Sequence, residues 1–447
     1  MHIAIIGNGI SGVTTARYLR KLDSNAKISL ISSETDHFFS RTALMYIYMG
    51  HMGYKETKPY EDYFWSKNRI DLVKAHVSTI DFKSKTLHSS KGESITYDKL
   101  VLALGSNPNK FGWPGQDLKG VGGMYFYQDL ERMEEYSKGL KRAVIVGGGL
   151  IGIEMAEMFH SRHIPVTFLV RESNYWNAVL PHEESVMVSR EIVKNGIDLR
   201  LETELKEIID DGTGKCKAVV TNTGETIECG FVGLTAGVHP NVRWLKDTEL
   251  EVERGIKVNE YLETNIKDVY AVGDCAQQSD VREGRRPIEA IWYTGRMMGE
   301  ICAFNIMGKK KAYDPGIWFN SAKFMDIEYQ VYGAVSGRPP EHHEALYWEH
   351  SDGNKAVRIV YDKNTNEVVG FNLMGVRYRH EVCEKWLRDK TDMKTVLSQL
   401  KLAEFDPEFY ATYSDEIISM YNKKTGANVR SSESRSWNRV FKFLQKA

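Results

Sequence analysis

Residues 3–12 read IAIIGNGISG, an apolar run that stops at a glycine-rich turn. The run predicts a buried strand, and TTARYLRKL (14–22) spreads apolar and basic residues as a helix does. Gly7, Gly9 and Gly12 stand between them. The first glycine permits a tight turn, and the second lets backbone approach a pyrophosphate. The third lets helix pack on strand, so that phosphates meet the helix N-terminus. A second apolar run, AKISLIS (26–32), leads to Glu34, placed to take a ribose hydroxyl. A lone GxGxxG says little. Strand, helix and acid in this order favour a dinucleotide site over a plain structural turn.

The pattern returns about 140 residues later: AVIVGGGLIG (143–152) carries Gly147, Gly149 and Gly152 in the same relation. A helix-like IEMAEMFHSRH follows, then a strand, IPVTFLV. Two such units imply two dinucleotides on one chain. A third signal is TNIKDVYAVGDCAQ (264–277), in which the strand DVYAV runs into Gly273 and Asp274. That carboxylate can accept hydrogen bonds from a ribityl chain or simply cap a turn.

Composition narrows the class. The chain has 447 residues, 27% of them charged, and a formal net charge of -1, which gives no electrostatic case for nucleic acid. No apolar run is long enough for a transmembrane helix. A strand that opens at the second residue leaves no room for a signal or transit peptide, so a cytoplasmic protein is expected. The five cysteines (216, 229, 275, 302 and 383) form no CxxC pair, against a disulfide scaffold or a zinc site.

Together, GNGISG, YDKLVLALGSNP (97–108), GGGLIGIEMAE (147–157), LTAGVHPN (234–241) and DVYAVGDCAQ resemble, in order, the pyridine nucleotide–disulfide oxidoreductases. The resemblance spans roughly residues 1–335. It implies an α/β fold with two Rossmann-like domains, the glutathione-reductase-like two-dinucleotide flavoprotein fold, plus an α+β C-terminal domain. An FAD-binding domain is expected over 1–115 and 240–314, an NAD(P)-binding domain over 116–239, and the C-terminal domain over 315–447. FAD falls to Gly7, Gly9, Gly12, Glu34, Gly273 and Asp274. NADH or NADPH falls to Gly147, Gly149, Gly152 and Glu154, the last a catalytic candidate that matches the family acid near the nicotinamide. Gly105 and Gly237, inside the second and fourth motifs, join the cofactor-binding set.

The family divides by how electrons leave the flavin. Its disulfide reductases and related peroxidases use a cysteine in the segment that FFSRTALMY (38–46) matches, where Arg41 stands between Ser40 and Thr42. No cysteine precedes residue 216, and His380 in RYRHEVCEKWL lacks the spacing of the family's C-terminal His–Glu pair. The branch resembled is therefore that of ferredoxin and rubredoxin reductases, with apoptosis-inducing-factor-like relatives. Arg41 takes the place of that branch's arginine, as a catalytic or FAD-contacting residue, a phosphate contact or a solvated charge. The branch's nearby lysine is missing, since Leu44, Met45 and Tyr46 follow. PGIWFNSAKFMDIEYQVYG (315–333) resembles the entry to the branch's third domain, where Trp318 either stacks near the flavin or belongs to a core.

Coenzyme choice rests at the end of the strand after the second turn. Val170 holds the place of the NADH carboxylate; Arg171 can pair with a 2′-phosphate, and Glu172 opposes it or serves the ribose one place later, a lean to NADPH. AVRIVYDKNTNEVVGFNLMG (356–375) predicts two strands joined through Asn364 and Asn366. PEHHEALYWEH (340–350) alternates as a half-exposed strand does, which disfavours a metal site through His342, His343 and His350. Cys275 reads as small buried packing. The tail RSSESRSWNRVFKFLQKA (430–447) would place Trp437, Val440, Phe441 and Leu444 on one helical stripe with basic neighbours. That stripe docks on its own body or a sister subunit of a homodimer, or meets a partner or a membrane surface.

The expectation is an FAD-dependent NAD(P)H oxidoreductase whose acceptor is an electron-transfer protein or a small molecule. A peripheral membrane quinone reductase and an FAD/NADH redox-sensing binding protein are the alternatives.

Overall fold

The structure is a computed structural model and describes residues 1–281, 284–405 and 411–432. It divides into two compact units, Met1–Leu169 with Thr203–Pro315, and Val170–Glu202 with the chain from Gly316 onward.

The first unit opens as the sequence predicts. Strand β1 (His2–Ile6) enters helix α1 (Ile10–Leu22), and β2 (Lys27–Ser32) and β3 (Ile70–Lys74) follow. With β4 (Lys99–Leu102) and a late strand (Val269–Ala271) they form one sheet, in the order late strand, β4, β1, β2, β3. Every neighbouring pair is parallel. Strands buried on both faces need continuous apolar runs, and Ile3, Ala4, Ile5, Leu100, Val101 and Leu102 supply them. The order reverses between β1 and β4, so a crevice opens there at the carboxyl ends of the strands.

The second turn has its own parallel strands. After β5 (Val121–Gly122) and helix α2 (Tyr127–Tyr136) come β6 (Ala143–Val146), helix α3 (Leu150–Ser161), β7 (Val166–Leu169) and β8 (Phe231–Leu234). β7, β6, β8 and β5 lie side by side in that order. The late strand of the first sheet is β9 (Val269–Ala271), and helix α4 (Trp292–Ile306) follows it. α4 packs on α1 through small residues. A Cβ on Gly299 would lie 2.4 Å from the Ser11 carbonyl oxygen, and one on Gly295 2.7 Å from Ser11 Oγ.

The second unit holds an antiparallel sheet of β10 (Phe319–Phe324), β11 (Ile327–Gly333), β12 (His343–Glu349), β13 (Ala356–Asp362) and β14 (Val368–Met374). Its spatial order is β10, β11, β14, β13, β12. The expected hairpin is present: β13 pairs with β14, and Asn366 turns the chain at φ 62°. β12 alternates between buried and more exposed positions, as PEHHEALYWEH predicts. Phe371, Leu373, Trp386 and Ile417 belong to the core of this unit. Within it Arg358 donates from Nε to Glu184 (2.7 Å) and from Nη2 to Glu183 (2.7 Å), and Asn372 Nδ2 also reaches Glu184 (3.1 Å). Removing one partner of such a buried pair strands the other charge.

Candidate functional site

The glycines of both turns divide their tasks alike. Gly7 has φ +113° and Gly147 φ +117°; a Cβ on Gly7 would sit 2.0 Å from the Ala103 carbonyl oxygen, and one on Gly147 2.8 Å from Thr235 backbone. A Cβ on Gly12 would meet Gly7 O at 2.0 Å, and one on Gly152 would meet Gly147 O at 2.2 Å. Above Gly9 and Gly149 a Cβ would meet nothing within 4 Å. Two glycines of each turn are thus forced by packing, while the middle one keeps open space at a helix N-terminus, as pyrophosphate approach requires.

The parallel first sheet sets the order of the remaining groups along one edge. Glu34 follows β2, the glycine turn follows β1, Gly105 and Ser106 follow β4, and Asp274 follows β9. Glu34 and Asp274 follow strands three positions apart, which is roughly 14 Å at a strand spacing of about 4.8 Å. An FAD whose pyrophosphate met the central turn would have Glu34 to one side and Asp274 to the other.

Arg41 and Glu34, both singled out in the sequence, are brought together. Arg41 Nη1 donates to Glu34 Oε1 (2.9 Å) and Nη2 to Oε2 (2.6 Å). Arg41 Nη1 also donates to the Tyr125 carbonyl oxygen. The guanidinium lies 4.7 Å from the Tyr125 ring centroid and 5.4 Å from that of Phe39. Burial opposes its charge, but the hydrogen bonds and charge of Glu34 outweigh burial and raise its pKa. Glu34 also accepts from the Tyr127 N–H (2.9 Å). Its Oε1 is doubly engaged, and lone-pair capacity remains on Oε2 for a ribose hydroxyl.

At the other end Ser106 Oγ (3.1 Å) and Tyr125 Oη (3.3 Å) both donate to Asp274 Oδ2. Oδ1 receives no side-chain donor among the described residues. Burial raises the Asp274 pKa, against the hydrogen bonds of Ser106 and Tyr125 and the charge of Arg41. A half-buried carboxylate with one oxygen that takes no side-chain donor among the described residues suits a hydroxyl-rich ligand, so these residues fit an FAD. Gly105 (φ +66°) and Gly237 (φ +84°) flank the paired strands Ser106–Pro108 and Val238–Pro240.

On the second turn, Glu154 projects from α3 and accepts no hydrogen bond among the described residues. Burial first, then the charge of Glu157 one turn on, pushes its carboxyl up to about 7. Thr235 Oγ1 ties the end of β8 to the turn by donating to Val146 O at 2.9 Å. Val170 is fully buried. In the second unit Arg171 is 73% exposed and pairs with Glu172 at 3.1 Å.

The five cysteines are free and buried. Cys275 Sγ accepts from Leu104 N–H (3.3 Å), and burial pushes its thiol up to about 12. His380 lies 3.7 Å from Glu384 on one helix of the second unit, Phe319 and Tyr332 packed edge-on to its ring. The described residues contain no group of three or more metal-ligating side chains. The expected tail stripe, Trp437 to Leu444, lies outside the described residues.

Sequence reasoning missed Tyr125, Ser106, Tyr127 and Thr235. Ser106 and Thr235 stand inside quoted motifs, beside glycines that drew the attention. Tyr125 and Tyr127 carry no spacing signal, because contact across 149 residues (Tyr125 to Asp274) and 93 residues (Tyr127 to Glu34) leaves no local pattern.

Two glycine turns, each at the carboxyl edge of its own parallel strands, define an FAD- and NAD(P)H-dependent oxidoreductase of the two-dinucleotide kind. The chain belongs to the pyridine nucleotide-disulphide oxidoreductase family, which matches residues 1–299. It is 26% identical over 383 residues to the nitrite reductase [NAD(P)H] of Bacillus subtilis, covering 83% of this chain but only 45% of that protein. It is 28% identical over 340 residues to the NADH-rubredoxin oxidoreductase of Clostridium acetobutylicum, covering 76% of this chain and 83% of the relative. Among solved structures, the NAD-dependent persulfide reductase from A. fulgidus superposes with a TM-score of 0.83 over 97% of this chain and 86% of its own. At 22% identity that likeness is one of fold.

Proposed function

We propose that this chain moves a hydride from NAD(P)H to FAD and passes the electrons on without a redox-active cysteine. The acceptor is a small electron-transfer protein of the ferredoxin or rubredoxin kind. The observation that carries this reading is the state of the sulfur. The first 215 residues hold no cysteine, and the five present are buried. A relay needs an ionised thiol within bonding distance of flavin or disulfide. Burial instead raises Cys216 to about 11, Cys229 and Cys275 to about 12, and Cys302 and Cys383 further. Similarity to a relative named for rubredoxin supports the acceptor class.

FAD, when bound, supplies the exchange between two-electron donor and one-electron acceptor. Residues 1–115 and 240–314 hold it through Gly7, Gly9, Gly12, Glu34, Arg41, Gly105, Gly273 and Asp274. Residues 116–239 hold the nicotinamide nucleotide through Gly147, Gly149, Gly152, Glu154, Arg171 and Gly237, with Arg171 favouring NADPH.

The test is NAD(P)H oxidation by the purified holoenzyme with a rubredoxin or [2Fe–2S] ferredoxin, set against oxidised glutathione and a CoA persulfide. Turnover is expected with the iron proteins, two of them reduced per NAD(P)H. Comparable rates with the sulfur substrates would refute the reading.

A further inference from the structure

Tyr125 lies in GGMYFYQDL, just ahead of α2, and belongs to none of the glycine motifs. Its backbone is fixed from the helix side: Asp129 Oδ2 accepts the N–H of Tyr125 (2.9 Å) and of Phe126 (2.8 Å). Every other polar atom of the residue is turned to the edge of the first sheet. The carbonyl oxygen accepts from Arg41, and the ring lies under the same guanidinium. The phenol accepts from Ser106 N–H (3.0 Å) and donates its single proton to Asp274 Oδ2 (3.3 Å). One side chain therefore touches both ends of the edge. It reaches Glu34 through Arg41, and Asp274 directly.

These contacts have separate consequences. The phenol and Ser106 Oγ occupy the same carboxylate oxygen, Oδ2, which fixes the carboxylate and leaves Oδ1 to a ligand. The ring and carbonyl hold Arg41 on Glu34, at the adenosine end. A substitution that deletes only the hydroxyl therefore separates the two ends.

We propose that Tyr125 is a positioning residue for FAD, its hydroxyl orienting Asp274 towards the ribityl half while its backbone and ring hold the Arg41–Glu34 pair. This rests on the reading that FAD occupies the first glycine turn.

The experiment is titration of FAD-depleted protein with FAD and, separately, with ADP, which carries the adenosine end but no ribityl chain. Tyr125→Phe should weaken FAD about five- to tenfold, the loss of one hydrogen bond to a carboxylate held at modest length. ADP should bind within twofold of wild type. Ser106→Ala should give the same split, and it carries the test if Tyr125→Phe does not fold. Arg41→Ala should weaken both ligands. FAD affinity within twofold of wild type in Tyr125→Phe would overturn the proposal, as would equal losses of FAD and ADP. Gly9→Trp is the control for the underlying reading, since it fills the open space above the turn. If that variant binds FAD as wild type does, the site itself is wrong, whatever Tyr125 shows.

Discussion

Burial opposes the charge of Arg41, and Glu34, which faces it with both carboxylate oxygens, more than compensates. Glu154 has no such partner among the described residues, and its carboxyl rises to about 7. The sign of its effect follows from linkage. A carboxyl that binds its proton more tightly in the folded chain gives stability that is fully present below about pH 4.5. That stability is lost as pH rises through about 7. A shift of this size corresponds to about 3 kcal/mol. Glu154→Gln should therefore flatten the fall in unfolding free energy between about pH 4.5 and 7, read by denaturant titration at several pH values. An unchanged slope would place the titrating group elsewhere. Arg171 makes a different prediction, because it is exposed and already shared with Glu172. If it grips a 2′-phosphate, Arg171→Ala should cost NADPH about 1–2 kcal/mol of binding, the low end for a charge-assisted hydrogen bond, and leave NADH unaffected. Equal effects on the two coenzymes, measured by equilibrium titration, would remove that role. At this scale the sequence was legible where chemistry is local. Gly7 and Gly12 stood out from spacing alone, the part expected of Asp274 came only with the family resemblance, and the pairing of Arg41 with Tyr125, 84 residues away, left no local signal.

Elements carry these residues only as well as they pack. α1 brings Gly9 and Gly12 to the sheet edge, and α4 presses on it with glycines where any side chain would intrude. Gly299→Val places a Cβ 2.4 Å from the Ser11 carbonyl oxygen and 3.0 Å from Thr14 Cβ, so α1 must shift and take the turn with it. Overpacking of this kind costs about 1–3 kcal/mol. The expected result is a lower melting temperature together with weaker FAD binding, while binding of the nicotinamide nucleotide persists in the folded fraction. A fall in melting temperature with FAD affinity intact would show that the α1–α4 contact is structural only. Strands and helices next to the turns were legible, because their apolar periods are local. The hairpin β13–β14 was legible too, through its asparagine turn. The anchoring of Arg358 by Glu184 was not, since 174 residues separate the pair and the stretch that holds Arg358 carries only a strand pattern.

For the whole molecule the question is where electrons can go. No helix among the described residues is long and apolar enough to cross a membrane. On the proposed reading the two glycine turns serve a donor and a flavin, and the remaining choice is between sulfur and direct transfer. Cys275 is the thiol to test first, because it adjoins Asp274. Its Sγ donates to the carbonyl oxygen of Leu102 (3.3 Å) and accepts from Leu104 N–H, and no part of the residue reaches solvent. A thiol held this way, with its pKa at about 12, is almost wholly protonated near neutral pH and makes a poor nucleophile. Replacing all five cysteines by serine or alanine should therefore leave NAD(P)H turnover with a one-electron acceptor within a few-fold of wild type, once FAD content is matched. The same variant should melt lower, since five buried side chains have changed. Loss of stability and loss of turnover are thus separable. A collapse of turnover in Cys275→Ala alone, with FAD content and fold unchanged, would show that sulfur does take part and would end the thiol-free reading.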